Sequence, residues 1–120
     1  MMKLKKYDLY NHVPVYTTKD LLDFCTKEYG KKEAFAYKNR KEDVSISFVE
    51  FKAHVQAFGS YMFKEGFNGR HIAVFGENCY EWILTHFAVT CSGNVIVPID
   101  KEVDADSIIE LLLDSECKVF

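Results

Sequence analysis

The stretch His71-Ile72-Ala73-Val74-Phe75-Gly76-Glu77-Asn78, with its later counterpart Gly93-Asn94-Val95-Ile96-Val97-Pro98, decides the fold. Ile72 to Phe75 is a short continuous apolar run, and Val95 to Val97 is a second, β-branched run closed by Pro98. Runs this short and without polar alternation read as strands covered on both faces. Between them Asn78 to Ser92 reads as a helix, with Gly93 placed to end it. After Pro98, Asp104 or Asp106 can cap a further helix in which Ile108, Ile109, Leu111, Leu112 and Leu113 are apolar over a wide arc. Lys118 to Phe120 begin another strand. Strands alternating with helices imply parallel pairing through right-handed crossovers. The fold class is therefore α/β, a three-layer doubly wound mostly parallel sheet. A strand cut short at its third residue lacks its ladder, so the chain is expected to be an incomplete part of a larger domain.

Upstream the period changes. Residues 1–17, rich in Lys and Tyr, are expected to form an extended N-terminal arm, and 18–120 the N-terminal portion of the larger domain. Thr18 can cap a helix with apolar positions Leu21, Leu22, Cys25 and Tyr29, and Gly30 stands where a left-handed terminal residue is wanted. Ala34 to Tyr37 and Val44 to Ser47 are β-prone runs around the polar stretch Lys38 to Asp43, a predicted hairpin. Ser47 and Glu50 are spaced as a capping box, in which the hydroxyl accepts from the Glu50 N–H and the carboxylate from the Ser47 N–H. The helix they start carries the stripe Phe51, Val55, Phe58 and Met62, and Gly66 stops it. A helix and a β-hairpin thus precede the sheet.

Composition narrows the function classes. The chain has 120 residues, 48% of them hydrophobic, with ten Phe and seven Tyr but two Pro, which suits one modest core and not a disordered tail. The net charge is −3, with ten Lys or Arg against five Asp or Glu through Lys41 and five against thirteen thereafter. That balance argues against nucleic acid as a partner. Lys31, Lys32, Lys38, Arg40 and Lys41 flank the predicted turn without interleaved aromatics and read as a solvated surface. No apolar run reaches the roughly 18 residues that span a bilayer, and a cytoplasmic location is expected. Cys25, Cys79, Cys91 and Cys117 stand at irregular spacings with no CxxC pair, which disfavours zinc and suits small buried apolar side chains.

The place to look for chemistry is the turn after Phe75. It holds one glycine, Gly76, no G-x-G-x-x-G and no Walker lysine, and Glu77 would repel a phosphate. Gly76 releases the chain from the strand, and Asn78 is expected to cap the following helix. His12, His54, His71 and His86 are scattered. His86 and Cys91, five apart, fall on different helix faces. Glu77 with Glu81, and Asp104 with Asp106, sit where helix N-termini favour negative charge. No catalytic, cofactor-binding or metal-ligating residue is assigned.

Three phrases resemble motifs of adenylate-forming enzymes. Ser45-Ile46-Ser47-Phe48-Val49-Glu50-Phe51 resembles the first core motif, a Thr or Ser-Tyr-x-Glu-Leu phrase opening a helix, with Phe48 replacing the usual Tyr and Phe51 the usual Leu. His71 to Trp82 resembles the strand followed by Asn-x-x-Glu-Trp, here Asn78 to Trp82, of acyl-CoA synthetases. Ala88 to Asp100 resembles the second core motif, a helix end, Gly93, a strand and Val97-Pro98-Ile99-Asp100. Order and spacing agree over about Thr18 to Phe120.

The resemblance implies an amino-terminal segment of an acyl-CoA synthetase of the fatty-acid CoA ligase type. Such enzymes use ATP and magnesium to convert a carboxylate to an acyl-adenylate, releasing pyrophosphate, and most pass the acyl group to CoA. The phosphate loop, nucleotide motifs and mobile lysine of the family have no match here. ATP, magnesium and CoA are thus implied for the parent enzyme and not for this chain, which is expected to be inactive alone. Its expected partner is the remainder of that enzyme, with a small carboxylic acid as the parent's substrate. Gly76, Asn78, Trp82, Gly93, Pro98 and Asp100 match the family phrases and are assigned to fold and packing. An exposed sheet edge makes self-association an expectation. The alternative reading is an autonomous α/β binding or scaffold module.

Overall fold

The computed structural model describes residues 13–120. The arm therefore lies mostly outside the described residues, and Val13 to Thr17 are exposed and carry no regular structure. Helix α1 (Thr18–Tyr29) leads into the strands β1 (Glu33–Asn39) and β2 (Glu42–Ser47), and these into α2 (Phe48–Lys64). The second half runs β3 (His71–Phe75), α3 (Tyr80–Cys91), β4 (Val95–Ile99) and α4 (Ala105–Asp114).

Local chemistry explains most boundaries. The α1 cap is Thr17 and not Thr18. Its extended backbone lets the side-chain oxygen accept from the Asp20 N–H at 3.0 Å. Gly30 ends the helix, but not in the left-handed region, since its φ is 7°. Proximity, not handedness, calls for glycine there, because a Cβ would stand 3.1 Å from the Thr26 carbonyl oxygen. The hairpin strands are longer than their apolar runs and leave only Arg40 and Lys41 in the turn, with Arg40 at a φ of 59°. The Ser47–Glu50 capping box forms in full, with bonds of 3.2 and 2.8 Å. The hydrogen bond from the Ser47 backbone, then that from its hydroxyl, hold the Glu50 carboxyl below the usual carboxylate range.

The α2 stripe packs as its spacing predicts. Phe51, Val55 and Met62 are buried and Phe58 partly so, against Ala88 and Val89 of α3 and Ile72 of β3. Phe35 of the hairpin stacks edge-on to Phe51 at 4.8 Å, which ties the hairpin to the same core.

β3 pairs in parallel with β4 from His71↔Val95 to Phe75↔Ile99. On its other side Ile72 bridges Val119, also in parallel, and the Ala73 N–H donates to the Val119 carbonyl at 2.9 Å. β3 is thus flanked by the two strands that follow it. With right-handed crossovers, moving first to one side and then to the other places α3 and α4 on opposite faces. Burial agrees. Ile72 and Val89 join the main core, whereas Ala73 and Ile99 are buried outside it. This is the doubly wound arrangement, present as a small α/β unit.

Pro98 does not close β4, which continues to Ile99. The Val95 N–H donates to the Arg70 carbonyl at 2.8 Å. By the two-residue period, Val97 and Ile99 also face β3 while Ile96 and Pro98 face away. The missing donor of Pro98 therefore falls on the outer edge and costs no ladder bond.

Candidate functional site

A doubly wound sheet places a crevice where successive connections leave for opposite faces, outside the carboxyl ends of the strands. Here that point lies between β3 and β4. The loop after β3 supplies Gly76, Glu77 and Asn78, the end of β4 and its loop supply Pro98, Ile99, Asp100 and Lys101, and α3 supplies Trp82. Together they line a cleft of about 450 Å³.

Several residues matched by the family phrases thus meet in space. Gly76, Asn78, Trp82, Pro98 and Asp100 share the crevice, and Gly93 lies at the other end of the sheet. Gly93 has a φ of 78°, so the tight entry into β4 does require glycine. Trp82 is half-buried and outside the main core; its ring centroid lies 5.5 Å from that of His86, with the two planes tilted by 30°. The packing role expected of Trp82 is therefore not met in the core: the residue lines the crevice instead.

Asn78 is not the cap of α3. Cys79 occupies that position with no side-chain hydrogen bond, because the helix begins at Tyr80, one residue too late for Asn78 to reach its first turn. Glu77 stands outside the helix and pairs across the crevice mouth with Lys101 at 3.2 Å, so of the two carboxylates only Glu81 lies in the first turn. Asp100 stabilises its own loop by accepting from the Glu102 N–H at 2.8 Å. Asp104, and not Asp106, caps α4. Hydrogen bonds from the Ser107 backbone, then from its side chain, hold the Asp104 carboxyl low.

The crevice does not fit a nucleotide phosphate. Two carboxylates, Glu77 and Asp100, face one ammonium, that of Lys101, and the connecting turn has a single glycine. No step of adenylate chemistry is derived from these residues.

Three features escaped sequence reasoning. Asn94, 7% exposed, accepts from the Arg70 N–H and donates to the Phe67 carbonyl and the Ser92 hydroxyl. Its place after a left-handed glycine was the available signal. Tyr80 meets His54 Nδ1 at 2.7 Å and stacks on Tyr37, and burial, with Tyr37 beside it, pushes its hydroxyl up to about 12. That cluster joins the hairpin, α2 and α3, and no local pattern announces it. His86 carries a buried Nδ1 without a partner among the described residues. Cys91 does not pair with it; burial raises the Cys91 thiol, which suits a packing role. All four cysteines are free, but none is the fully buried side chain expected: Cys79 is exposed at the start of α3, and Cys25, Cys91 and Cys117 are half-buried.

Among the described residues no helix is long and apolar enough to cross a membrane, and no group of three metal-ligating side chains occurs.

Comparison with known proteins places the unit. A family model described as AMP-binding enzyme matches residues 23–120. The chain is 26% identical over 97 residues to 3-[(3aS,4S,7aS)-7a-methyl-1,5-dioxo-octahydro-1H-inden-4-yl]propanoyl:CoA ligase of Rhodococcus jostii, covering 80% of this chain and 18% of that protein. It is 33% identical over 76 residues to 2-succinylbenzoate--CoA ligase of Oceanobacillus iheyensis, covering 62% of this chain and 16% of that one. The N-terminal subdomain of Klebsiella oxytoca NpsA superposes with a TM-score of 0.76 at 18% identity, covering 86% of this chain and 26% of that one. The chain spans less than a fifth of the length of the curated relatives it matches.

Proposed function

Because this chain belongs to the AMP-binding enzyme family, we propose that it is the amino-terminal segment of an ATP-dependent acyl-CoA synthetase. The parent joins a small carboxylic acid to AMP with loss of pyrophosphate, then transfers the acyl group to the thiol of CoA. The observation that carries this reading is the family match over residues 23–120, and CoA ligases among the relatives favour CoA as the acceptor. ATP, magnesium and CoA belong to the parent, and a fatty acid is the proposed substrate class. A cytoplasmic location is part of the same reading.

The segment by itself is inactive on this reading. The chemistry needs a phosphate cradle and charge neutralisation at the transferred phosphoryl group, and the crevice offers carboxylates instead. Its role is structural. It presents an apolar groove of about 530 Å³ beside Val119, bounded by Phe58, Tyr61, Met62, Phe75 and Phe120, for burial against the remainder of the enzyme. The isolated chain self-associates through such surfaces.

Calorimetric titration with ATP and magnesium, together with pyrophosphate release across a panel of fatty acids, tests the reading. The chain alone is expected to give neither signal, and a longer polypeptide that carries it to give both. Saturable nucleotide binding by the 120-residue chain at one site would overturn it.

A further inference from the structure

We propose that residues 1–12 of this chain dock along the outer face of α4, with their lysines on its carboxylates and their apolar side chains on Ile109 and Leu113. Ile108 and Leu112 form the half-buried side of α4, and no residue of the helix is fully buried. Ile109 and Leu113 form a second apolar ridge. They stand four residues apart, hence as neighbours on the helix surface, and are 56% and 73% exposed. Beside them runs a row of exposed carboxylates at the same spacing, Asp106, Glu110 and Asp114. Like charges four residues apart destabilise a helix, and none of the three pairs with a cation among the described residues. An apolar ridge flanked by an unneutralised acidic one fits a segment that carries both cationic and apolar side chains.

The chain's own amino terminus has that chemistry. In Lys3-Leu4-Lys5-Lys6-Tyr7-Asp8-Leu9-Tyr10 three lysines face one aspartate, and Leu4, Tyr7, Leu9 and Tyr10 supply apolar surface. Nearby carboxylates compete poorly for these lysines. Glu77 already holds Lys101 at 3.2 Å, and Asp100 and Asp104 accept from the Glu102 and Ser107 N–H groups of their own loops. The connection is also short. Lys19, in the first turn of α1, shares a groove with Cys91 and Ser92 at the end of α3. The next residue, Gly93, accepts from the Gly69 N–H at 3.2 Å, and Gly69 lines a cleft with Leu113 and Glu116. The start of α1 and the end of α4 therefore lie at the same edge of the unit, where the strands begin. Twelve extended residues span at most about 40 Å, and Val13 to Thr17, exposed and without regular structure, add to that reach. The inference is independent of the adenylate-forming reading, since it concerns two parts of this chain and not the parent's reaction.

Nuclear Overhauser contacts in the 120-residue chain test the docking directly. Side chains of Leu4, Tyr7 or Leu9 are expected to reach the methyl groups of Ile109 and Leu113, and to do so equally at all dilutions. A full-length variant with Lys3→Glu, Lys5→Glu and Lys6→Glu should lower the ratio of docked to free arm about tenfold, the combined effect of three ordinary exposed pairs. Salt at about 1 M, where the screening length is about 3 Å, should weaken it likewise. Adding Asp106→Lys, Glu110→Lys and Asp114→Lys to that variant should restore the contacts, a recovery that general damage to the fold would not produce. Absence of the contacts in the unmodified chain, or contacts to other surfaces only, overturns the proposal. So does a docked fraction indifferent to the charge reversal. Contacts that fade on dilution, or that form between differently labelled copies, would assign the ridge to the arm of a second copy and overturn it too. None of these outcomes bears on pyrophosphate release by the parent enzyme, so the two readings fail separately.

Discussion

The side-chain oxygen of Asn94 accepts from the backbone N–H of Arg70 at 2.9 Å, which ties the turn entering β4 to the loop entering β3. The same amide donates to the Phe67 carbonyl at 3.0 Å, so one buried side chain closes both loops at the amino ends of the strands. Asn94→Ala leaves these backbone groups unpaired and is expected to cost about 2–3 kcal/mol. Urea unfolding of the two proteins gives the difference; a change within error would mean that water replaces the amide.

Two glycines have opposite expectations. Gly93 sits at a φ of 78°, where a side chain is strained although its Cβ would meet nothing closer than Asn68 Oδ1 at 3.5 Å. Gly93→Ala should therefore destabilise by about 1–2 kcal/mol from backbone strain alone. Gly59 lies inside α2, and its added Cβ would make an ordinary contact with Ser92 Cβ at 3.6 Å. Gly59→Ala should stabilise by about 0.5–1 kcal/mol through helix propensity. Thermal melts of both variants decide whether conformation or packing governs each position.

The helix caps make stability sensitive to acid. Glu50 and Asp104 both have their carboxyls lowered by cap hydrogen bonds. A depressed folded value means that the stabilisation is complete above the unfolded pKa, about 4 for carboxylates, and is lost as pH falls through the folded value. The melting temperature should drop below that point, and less so in Asp104→Asn. Ser47→Ala, which removes the hydroxyl half of the α2 box, should cost about 1 kcal/mol at neutral pH.

Tyr80 should be a late-titrating phenol. Its hydroxyl is pushed up to about 12 by burial, then by Tyr37. A raised folded value implies stability that is complete below the unfolded tyrosine pKa, about 10, and lost as pH rises through the folded one. Ultraviolet titration should show a step near 12 that Tyr80→Phe removes, and the variant should also lose the His54 hydrogen bond. Persistence of that step in the variant would assign it to another tyrosine.

Much of the fold was legible because it rests on local chemistry. The Ser47–Glu50 box, the Phe51, Val55 and Met62 stripe, the left-handed Gly93 and the two parallel runs all arise from contacts within a few residues or from simple periodicity. The misplacements were equally local. Thr17 and Cys79, each one residue away from the expected cap, won because backbone geometry decides which residue sits half inside a helix.

By itself, then, the sequence determined the order and kind of elements, and the family through three phrases in register. Only the tertiary structure decided what those elements bring together. The Tyr80 cluster draws on residues from Tyr37 to Tyr80, Asn94 reaches back to Phe67, and Trp82 leaves the core to wall a crevice with Glu77 and Lys101. Such groupings depend on which side of β3 each later strand joins. That choice is made by crossover handedness and apolar burial across the whole unit, and no window of the sequence encodes it.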